Sequence, residues 1–346
     1  MPERNTMKKI QELQQVKGDA YDYYIAGNED TDLFEKIFLV DDIVEEICKP
    51  DKYFLIGEKG SGKTAYSVYM SKSDKINSFC SISLVENTLY QRFLNMKRQK
   101  ALELSSFKDV WINLIYLILA EKIRKEYGET FFSSMKYKQL SKAIDVFYSD
   151  AFKPEFVNAF EFVDNASASI NSMMKQGLFS TGTKASAETS QKYVEQSFQI
   201  SLMKIRDGFE KAFMSVNLKK PTILFVDGID ARPRDIDNEQ YFECLVGLVN
   251  AVLEMNQSFL KEKQIKIMLL IRPDIMYKMP VHNMNQKLRN NSVLLNWVTS
   301  YRKYIDSKLF KIADDYFMKQ QDHSYELGEC WNYYFPYKVE YQESTR

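Results

Sequence analysis

The chain has 346 residues, of which 45% are hydrophobic and 27% are charged, as is typical of a globular protein with one large core or two smaller ones. Its formal net charge is zero, so no overall basic field favours a nucleic acid or an anionic membrane as partner. The four cysteines form no CxxC pair and there are two histidines, so the sequence indicates neither a zinc site nor a disulfide framework.

The start of the chain lacks the apolar segment of a secretory signal and is too acidic for a typical transit peptide. The longest nearly apolar run, Val110–Ala120, is shorter than the about 20 residues that span a bilayer. We therefore expect a cytoplasmic protein that has no membrane partner.

The first predicted elements lead to a glycine-rich loop. Residues 1–50 predict a helical lead-in, because Asp30–Pro50 has apolar residues at helical spacing and stops at a proline. Lys52–Ile56 predicts a short buried strand, and it is followed by GEKGSGK and then by TAYSVYM, which can continue as a helix. The order of strand, glycine loop and helix is the context in which such a loop binds phosphate.

The segment Gly57–Thr64 matches the phosphate-loop pattern GxxxxGK[ST] at every fixed position. Glycines let successive backbone N–H groups converge on phosphate oxygens, and the next helix points its positive end at the same anion. The candidate cradle residues are Gly57, Gly60, Ser61 and Gly62. Lys63 can reach the β- and γ-phosphates and the Thr64 hydroxyl can bind Mg²⁺, so we expect a nucleoside triphosphate and Mg²⁺ as cofactors.

The later part of the chain alternates apolar runs with helical patterns. Ile76–Leu84 predicts a second strand, and a long helical insertion is expected over about residues 122–218, with a small polar stretch, Gln176–Gln191, that is typical of a loop. Pro221–Asp230 and Ile265–Asp274 predict two more buried strands, the second of which is the last one expected. This alternation predicts an α/β fold with a mostly parallel sheet covered on both faces.

Two acids follow the third predicted strand. Asp227 comes after four apolar residues, at the strand tip where a P-loop protein needs a carboxylate for Mg²⁺. Asp230, three residues later, either orients the attacking water or acts as a turn residue that caps the next helix. The sequence leaves both roles of Asp230 open.

Arginines supply the remaining candidates for catalysis. Arg272 ends the LLIRPD strand, where it either reads the γ-phosphate and stabilises the charge that develops there or is a surface residue. Arg289 and Arg302 are candidates to reach the γ-phosphate of a neighbouring subunit, although most exposed arginines are simply solvated.

Taken in order, GEKGSGKT, ILFVDGID and LLIRPD resemble the STAND branch of P-loop ATPases, and the order is also similar to that of AAA-type and origin-recognition ATPases. The chain resembles as well a group of uncharacterised bacterial P-loop ATPases over about residues 34–334, including the stretch Arg272–Ile305 with its Asn-Ser and Trp. The resemblance implies the three-layer sandwich of P-loop NTPases. It also implies that Lys63 and Thr64 bind phosphate and Mg²⁺, that Asp227 is the Mg²⁺ carboxylate and that Arg272 is the sensor.

Two departures from these families concern hydrolysis. NACHT-type members have an acid where this chain has Ala231, and origin-type members have a glutamate where it has Gly228. The acid that activates water is then Asp230 or comes from elsewhere, which implies slow turnover.

The resemblance also organises the chain into three regions. We expect a helical lead-in over residues 1–50, a P-loop ATPase core over residues 51–280, and a C-terminal helical region over residues 281–346. The last region, which ends soon after a helix expected at Trp297, corresponds to an incomplete helical lid.

The first functional hypothesis is an ATP-binding ATPase of slow turnover that acts as a nucleotide-controlled switch or assembly module. Its expected partners are further copies of itself or a separately encoded effector. The resemblance implies a role in bacterial stress response or phage defence, because such families are associated with these processes. No [NT]KxD motif of GTPases is present, which favours ATP over GTP.

Two alternatives belong to other classes. An origin-recognition type of nucleic-acid ATPase would use basic residues such as Lys97, Arg98 and Lys100, but the net charge of zero does not support it. A P-loop kinase is a further alternative, which the long helical insertion and the DGID strand disfavour.

Overall fold

The computed structural model describes residues 7–25, 28–85, 107–132, 137–151, 202–230, 238–279, 288, 290–297 and 304–336. The chain divides into two compact units that each combine distant segments. Unit 1 consists of Met1–Cys48, Gly57–Ile76 and Leu294–Arg346, and unit 2 consists of Lys49–Ile56 and Asn77–Val293. This grouping differs from the three contiguous regions expected above, because long-range packing brings the two ends of the chain into one unit.

Helices account for most of the described residues. In chain order they are α1 (Ala20–Ile25), α2 (Asn28–Ile37), α3 (Asp42–Cys48), α4 (Lys63–Lys72), α5 (Phe107–Phe132), α6 (Lys138–Ala151), α7 (residues 202–215), α8 (Asn238–Gln257), α9 (Pro273–Lys278), α10 (Lys308–Met318) and α11 (Glu329–Tyr334). Within these ranges, no helix combines the length and apolar character that crossing a membrane requires.

Five strands form one parallel sheet in the order β2-β3-β4-β1-β5. They are β1 (Phe54–Gly57), β2 (Phe79–Leu84), β3 (Thr222–Asp227), β4 (Ile265–Ile271) and β5 (Ser292–Leu295). Every residue of β1, β3 and β4 is buried, as expected for the interior strands of a parallel sheet. The prediction of an α/β fold built on a parallel sheet is confirmed.

The strand order places a topological switch point beside β1. Strand β4 lies between β1 and β3, so the ends of β1 and β3 are two strand spacings, or about 10 Å, apart. The connection from β1 runs past β4 and β3 to β2, whereas the connection from β4 runs past β1 to β5. Right-handed crossovers in opposite directions lie on opposite faces of a sheet. In α/β proteins, ligands commonly bind outside the carboxyl ends of the strands at a switch point, which in this strand order are β1 and β4.

Most of the described residues within the expected helical insertion are helical. Helices α5, α6 and α7 lie in it or overlap it, and α5 contains the apolar run Val110–Ala120, which is buried throughout. Helix α5 packs against α8, and the Trp111 indole N–H donates to the Cys244 carbonyl at 3.0 Å. The polar stretch Gln176–Gln191 lies outside the described residues.

Strand β5 was not predicted, and it corrects two expectations. Ile265–Ile271 is not the last strand of the chain, and the C-terminal region is not purely helical. Residues 296 and 297 are also non-helical, so Trp297 follows a strand and does not lie in the expected helix. The reason is visible in the burial pattern, because Val293 and Leu295 are 4% and 8% exposed whereas Leu294 is 63% exposed. This alternation has the period of a strand with one covered face.

Unit 1 joins the N-terminal segment to the C-terminal helices through side-chain amides. The Oε1 atoms of Gln321 and Gln320 accept hydrogen bonds from the backbone N–H groups of Lys8 and Gln14, both at 2.8 Å. The Tyr316 hydroxyl donates to the Gln14 carbonyl at 2.8 Å. These bonds give the backbone of an irregular segment the partners that a helix or strand would otherwise supply.

Candidate functional site

The glycine loop of unit 1 has a backbone that only glycine accommodates well. Gly60 and Gly62 have φ angles of 80° and 90°, in the left-handed region that disfavours residues with a Cβ atom. A Cβ atom on Gly57 would lie 2.2 Å from the Ser61 Oγ, so the start and the middle of the loop touch. The loop is therefore a tightly closed turn, with the Ser61 hydroxyl packed against its first residue.

The Lys63 ammonium group is hydrogen-bonded to the backbone of the same loop. Its Nζ donates to the Gly57 carbonyl at 2.8 Å and to the Glu58 carbonyl at 3.2 Å, and the residue is only 7% exposed. A buried ammonium group is costly unless hydrogen bonds compensate for the lost water, and these two carbonyls contribute to that compensation. The loop thus holds a positive charge against its own backbone.

Helix α4 begins directly after the loop. Its N-cap is Gly62, which has no side chain with which to cap the first backbone N–H groups. The helix has 10 residues, so its N-terminus carries the partial positive charge of a full helix dipole. Thr64 lies in the first turn, and its carbonyl accepts a hydrogen bond from the Ser67 hydroxyl at 2.8 Å. The helix dipole and the Lys63 ammonium group together make this end of the helix electropositive.

Among the residues that the structure describes, Ser61 combines a hydrogen-bonded carbonyl with an unsatisfied hydroxyl. Its carbonyl accepts a hydrogen bond from the Trp297 indole Nε1 at 2.7 Å. Its own Oγ is buried and has no hydrogen-bond partner within the described part of the chain. A buried hydroxyl without a partner is rare in native proteins, and it is one feature that a bound polar ligand would satisfy.

A second set of contacts ties helix α4 to α10 through Asp41. The Tyr66 hydroxyl donates to Asp41 Oδ1 at 2.9 Å, and the Lys308 Nζ donates to Asp41 Oδ2 at 2.7 Å. Burial and the Asp41 charge raise the pKa of Tyr66, and the hydrogen bond to Asp41 raises the pKa of Lys308. Both groups are thereby held in their protonated, hydrogen-bonding forms.

In unit 2, Asp227 occupies the tip of β3, where the sequence predicts a carboxylate. The residue is 7% exposed, and its Oδ1 accepts a hydrogen bond from the Gly228 N–H at 2.7 Å. Gly228 has a φ of 85°, and a Cβ atom there would lie 2.9 Å from the Val85 carbonyl oxygen. Only glycine fits this turn, which holds the Asp227 carboxylate at the end of its strand.

Asp230 and Arg272 are joined within unit 2 through the backbone. The Asp230 Oδ1 accepts from the Arg272 N–H at 3.2 Å, and Arg272 is the N-cap of α9. This carboxylate therefore links the turn after β3 to the start of α9. The contact resembles the turn-capping role that the sequence leaves open, although the capped helix is α9 and not the helix that follows β3.

The Arg272 guanidinium is paired two residues along the chain. Its Nε donates to Asp274 Oδ1 at 3.0 Å and its Nη2 donates to Asp274 Oδ2 at 2.8 Å. Two parallel bonds to one carboxylate give a well-defined geometry. A γ-phosphate would therefore have to compete with Asp274 for this side chain.

The described residues fit Mg²⁺ only as part of a nucleotide complex. Within the ranges that the structure covers, no group of three or more His, Cys, Asp or Glu side chains is arranged to hold a metal ion. Mg²⁺ is commonly held by one or two protein carboxylates together with substrate phosphates and water. A single strand-tip carboxylate such as Asp227 is compatible with that arrangement.

All the predicted loop, metal and catalytic residues lie in the described ranges. Unit 1 holds Gly57, Gly60, Ser61, Gly62, Lys63 and Thr64, whereas unit 2 holds Asp227, Asp230 and Arg272. Arg289 and Arg302 lie outside the described residues, as do the basic residues Lys97, Arg98 and Lys100 of the nucleic-acid alternative. Sequence reasoning assigned no role to Trp297, Asp41 or Asp274, because their contacts join residues that are distant in the chain or depend on side-chain geometry.

The fold and the loop define an α/β protein in which a glycine-rich turn follows a buried parallel strand and opens a helix. Comparisons of the chain with protein-family models, with curated proteins and with solved structures give no match. Arguments about function therefore start from the geometry of the residues described above.

Proposed function

We propose that this chain is a P-loop ATPase that binds ATP with Mg²⁺, hydrolyses it slowly and acts as a nucleotide-controlled switch. One observation carries the proposal. The buried Lys63 ammonium group donates hydrogen bonds to the carbonyls of Gly57 and Glu58. These residues belong to a closed glycine turn that leads into a helix N-terminus. A nearly buried cation at the N-terminus of a helix whose N-cap residue has no side chain is chemistry suited to a polyphosphate.

In the proposed binding step, the Lys63 ammonium group leaves the loop carbonyls and binds phosphate oxygens instead. Phosphate oxygens are stronger acceptors for an ammonium group than neutral carbonyls, because both partners are then charged. Lys63 would exchange its bonds with the loop for bonds to the β- and γ-phosphates. The Ser61 hydroxyl, which is buried and lacks a partner, would gain one at the same time.

The Thr64 hydroxyl and the Asp227 carboxylate are the residues proposed to hold Mg²⁺. The ion supplies charge neutralisation on the phosphate oxygens. Support for Asp227 comes from its position at the end of the buried strand β3. This strand is next to β4, which forms the switch point of the sheet together with β1.

Slow turnover follows from the acids available. Asp230 is the nearest second carboxylate in the sequence, and its Oδ1 already accepts the Arg272 N–H. A carboxylate that is committed to a structural hydrogen bond is a weaker general base, because deprotonating water would compete with that bond. Arg272 must also leave Asp274 before it can stabilise charge in the transition state.

A switch function is supported by the contacts of α4. Tyr66 on this helix and Lys308 on α10 bind the same carboxylate, Asp41, so a shift of α4 on nucleotide binding would disturb the start of α10. The proposed recipients of that signal are further copies of this chain or a separately encoded effector. The cytoplasmic location and the role in stress response or phage defence are proposals that rest on the sequence arguments alone.

The proposal predicts separate defects for Lys63→Ala and Asp227→Ala. Lys63→Ala should weaken ATP binding by tenfold or more, since a hydrogen bond to a charged group contributes about 1.5–3 kcal/mol. Asp227→Ala should retain Mg²⁺-free ATP binding but lose the Mg²⁺-dependent gain in affinity and the turnover. Titration calorimetry with and without Mg²⁺, together with release of inorganic phosphate, measures both effects.

Matched controls are Lys204→Ala and Glu262→Gln, which change exposed residues of unit 2 and should leave both measurements unaltered. Unchanged ATP affinity in Lys63→Ala would contradict the proposal. Transfer of phosphate to an acceptor other than water would instead favour the kinase alternative, and salt-dependent binding to DNA would favour the nucleic-acid ATPase.

A further inference from the structure

Within the described residues, the Trp297 side chain reaches the glycine loop from outside it and donates a hydrogen bond to the Ser61 carbonyl. We propose that Trp297 is a positioning residue, which sets the Ser61–Gly62 peptide so that the Gly62 N–H is presented to a bound phosphate. This inference rests on the proposed function, because it assumes that the loop binds a polyphosphate. The proposed role belongs to a residue that lies outside the phosphate-loop motif.

The geometry within unit 1 supports a close and directed contact. The indole Nε1 donates to the Ser61 carbonyl at 2.7 Å. The Cζ2 atom of the same ring lies 4.0 Å from the position that a Cβ atom on Gly62 would occupy. The indole is therefore hydrogen-bonded to Ser61 and lies beside Gly62.

Because the peptide bond is planar, the hydrogen bond to the Ser61 carbonyl also fixes the direction of the Gly62 N–H group. In a planar trans peptide, the C=O of Ser61 and the N–H of Gly62 point in opposite directions. Because the carbonyl is directed at the indole, the Gly62 N–H is directed away from it. Gly62 has a φ of 90°, which glycine adopts without strain, so the hydrogen bond to the indole can select the orientation of this peptide.

The end of strand β5 also lies against the glycine loop. Trp297 follows the strand by two positions, and the Leu295 Cβ lies 3.0 Å from the position of a Cβ atom on Gly57. The end of the strand thus lies against the first residue of the loop, while the tryptophan reaches its fifth. An indole N–H is a donor with no acceptor capacity and few rotamers, which makes it a rigid support for a carbonyl.

The test compares two substitutions that each remove one indole hydrogen bond. Trp297→Phe retains an aromatic ring and loses the donor to Ser61, whereas Trp111→Phe loses the donor to the Cys244 carbonyl in unit 2. Binding of ATP and of inorganic triphosphate is measured for both variants and for the wild type. We expect Trp297→Phe to weaken both ligands by about five- to tenfold, as for the loss of one hydrogen bond, and Trp111→Phe to weaken neither.

The outcomes separate this inference from the proposed function. If the wild type binds both ligands and Trp297→Phe binds them equally well, the positioning role is wrong and the ATPase proposal stands. If Trp297→Phe weakens ATP but not triphosphate, the indole contacts the base, which also overturns the positioning role. If the wild type binds neither ligand, the proposed function fails and the positioning role fails with it.

A spectroscopic measurement keeps the inference falsifiable even if Trp297→Phe does not fold. Ser61–Gly62 is the only Ser-Gly peptide in the sequence, so labelling serine with ¹³C at the carbonyl and glycine with ¹⁵N selects the Gly62 amide alone. In the wild type, triphosphate should move this resonance downfield and slow its hydrogen exchange. A Gly62 amide that does not respond to triphosphate that is bound would overturn the proposal.

Discussion

At the scale of single residues, the state of Arg272 decides whether it can act as a sensor. Its guanidinium is bonded twice to Asp274, but the side chains are 29% and 42% exposed, respectively. A partly exposed ion pair contributes at most about 1 kcal/mol, because water and salt screen it. A γ-phosphate, which carries more charge than a carboxylate, could therefore displace Asp274 at little cost.

We predict that Arg272→Ala lowers the affinity for ATP while leaving the affinity for ADP unchanged, because only ATP has a γ-phosphate. Asp274→Asn should have the opposite effect and raise ATP affinity by up to about fivefold, which corresponds to the loss of a competing surface pair. Calorimetric titration of each variant with both nucleotides provides the measurement. Arg124→Ala, which removes a surface arginine that lies 3.9 Å from Glu121, is the control. Equal changes for ATP and ADP would show that Arg272 does not read the γ-phosphate.

Among the secondary-structure elements, a charged cluster joins three helices of unit 2. The Glu254 carboxylate on α8 accepts hydrogen bonds from Lys108 on α5 and from Arg206 on α7, each at 2.7 Å. Burial raises the pKa of Glu254, but the hydrogen bonds from Lys108 and Arg206 outweigh it, so the pKa is lowered overall. The carboxylate thus supports the packing of these helices in its ionised form.

This pKa shift has a defined sign for stability. A carboxyl group whose pKa is lower in the folded state stabilises the protein above its unfolded pKa of about 4.3, and that contribution disappears as the pH falls through the folded pKa. Glu254→Gln should therefore lower the free energy of unfolding by about 1 kcal/mol near neutral pH, with a difference that shrinks on acidification. Urea unfolding of wild type, Glu254→Gln and the exposed control Glu262→Gln across this pH range tests it. A difference that does not depend on pH would contradict the assignment.

Elements also differ in how far the sequence predicts them. Strands β1, β3 and β4 were predicted because each is a short apolar run in which every residue is buried, a pattern that requires no knowledge of neighbours. Strand β5 was missed because its four residues include an exposed leucine and follow a polar segment. Its extended conformation depends on pairing with β1, which is far away in the chain.

For the whole molecule, two units share the candidate residues, and each unit is assembled from separate chain segments. A ligand that binds only the folded protein stabilises it in proportion to the logarithm of its concentration. We predict that Mg²⁺ and ATP raise the thermal unfolding temperature, with about 2.7 kcal/mol gained at about one hundred times the dissociation constant. Scanning calorimetry with ATP, and with AMP as a ligand that lacks the β- and γ-phosphates, measures the shift.

The matched variant for this prediction is Lys63→Ala, which should lose most of the stabilisation by ATP because the lysine is the principal cation of the loop. Lys204→Ala should keep it. Equal shifts in wild type and Lys63→Ala would place ATP binding elsewhere in the molecule.

The sequence by itself determined the α/β class, the parallel strands that carry the candidate residues and the glycine turn before α4. These features depend on local properties, namely runs of apolar residues and backbone angles that only glycine adopts readily. The tertiary structure alone decided that Lys63 lies on two loop carbonyls, that Trp297 supports Ser61 and that Asp274 holds Arg272. Such contacts require partners to meet through folding or side chains to adopt one of several rotamers, and neither the composition nor the spacing of the residues specifies that outcome.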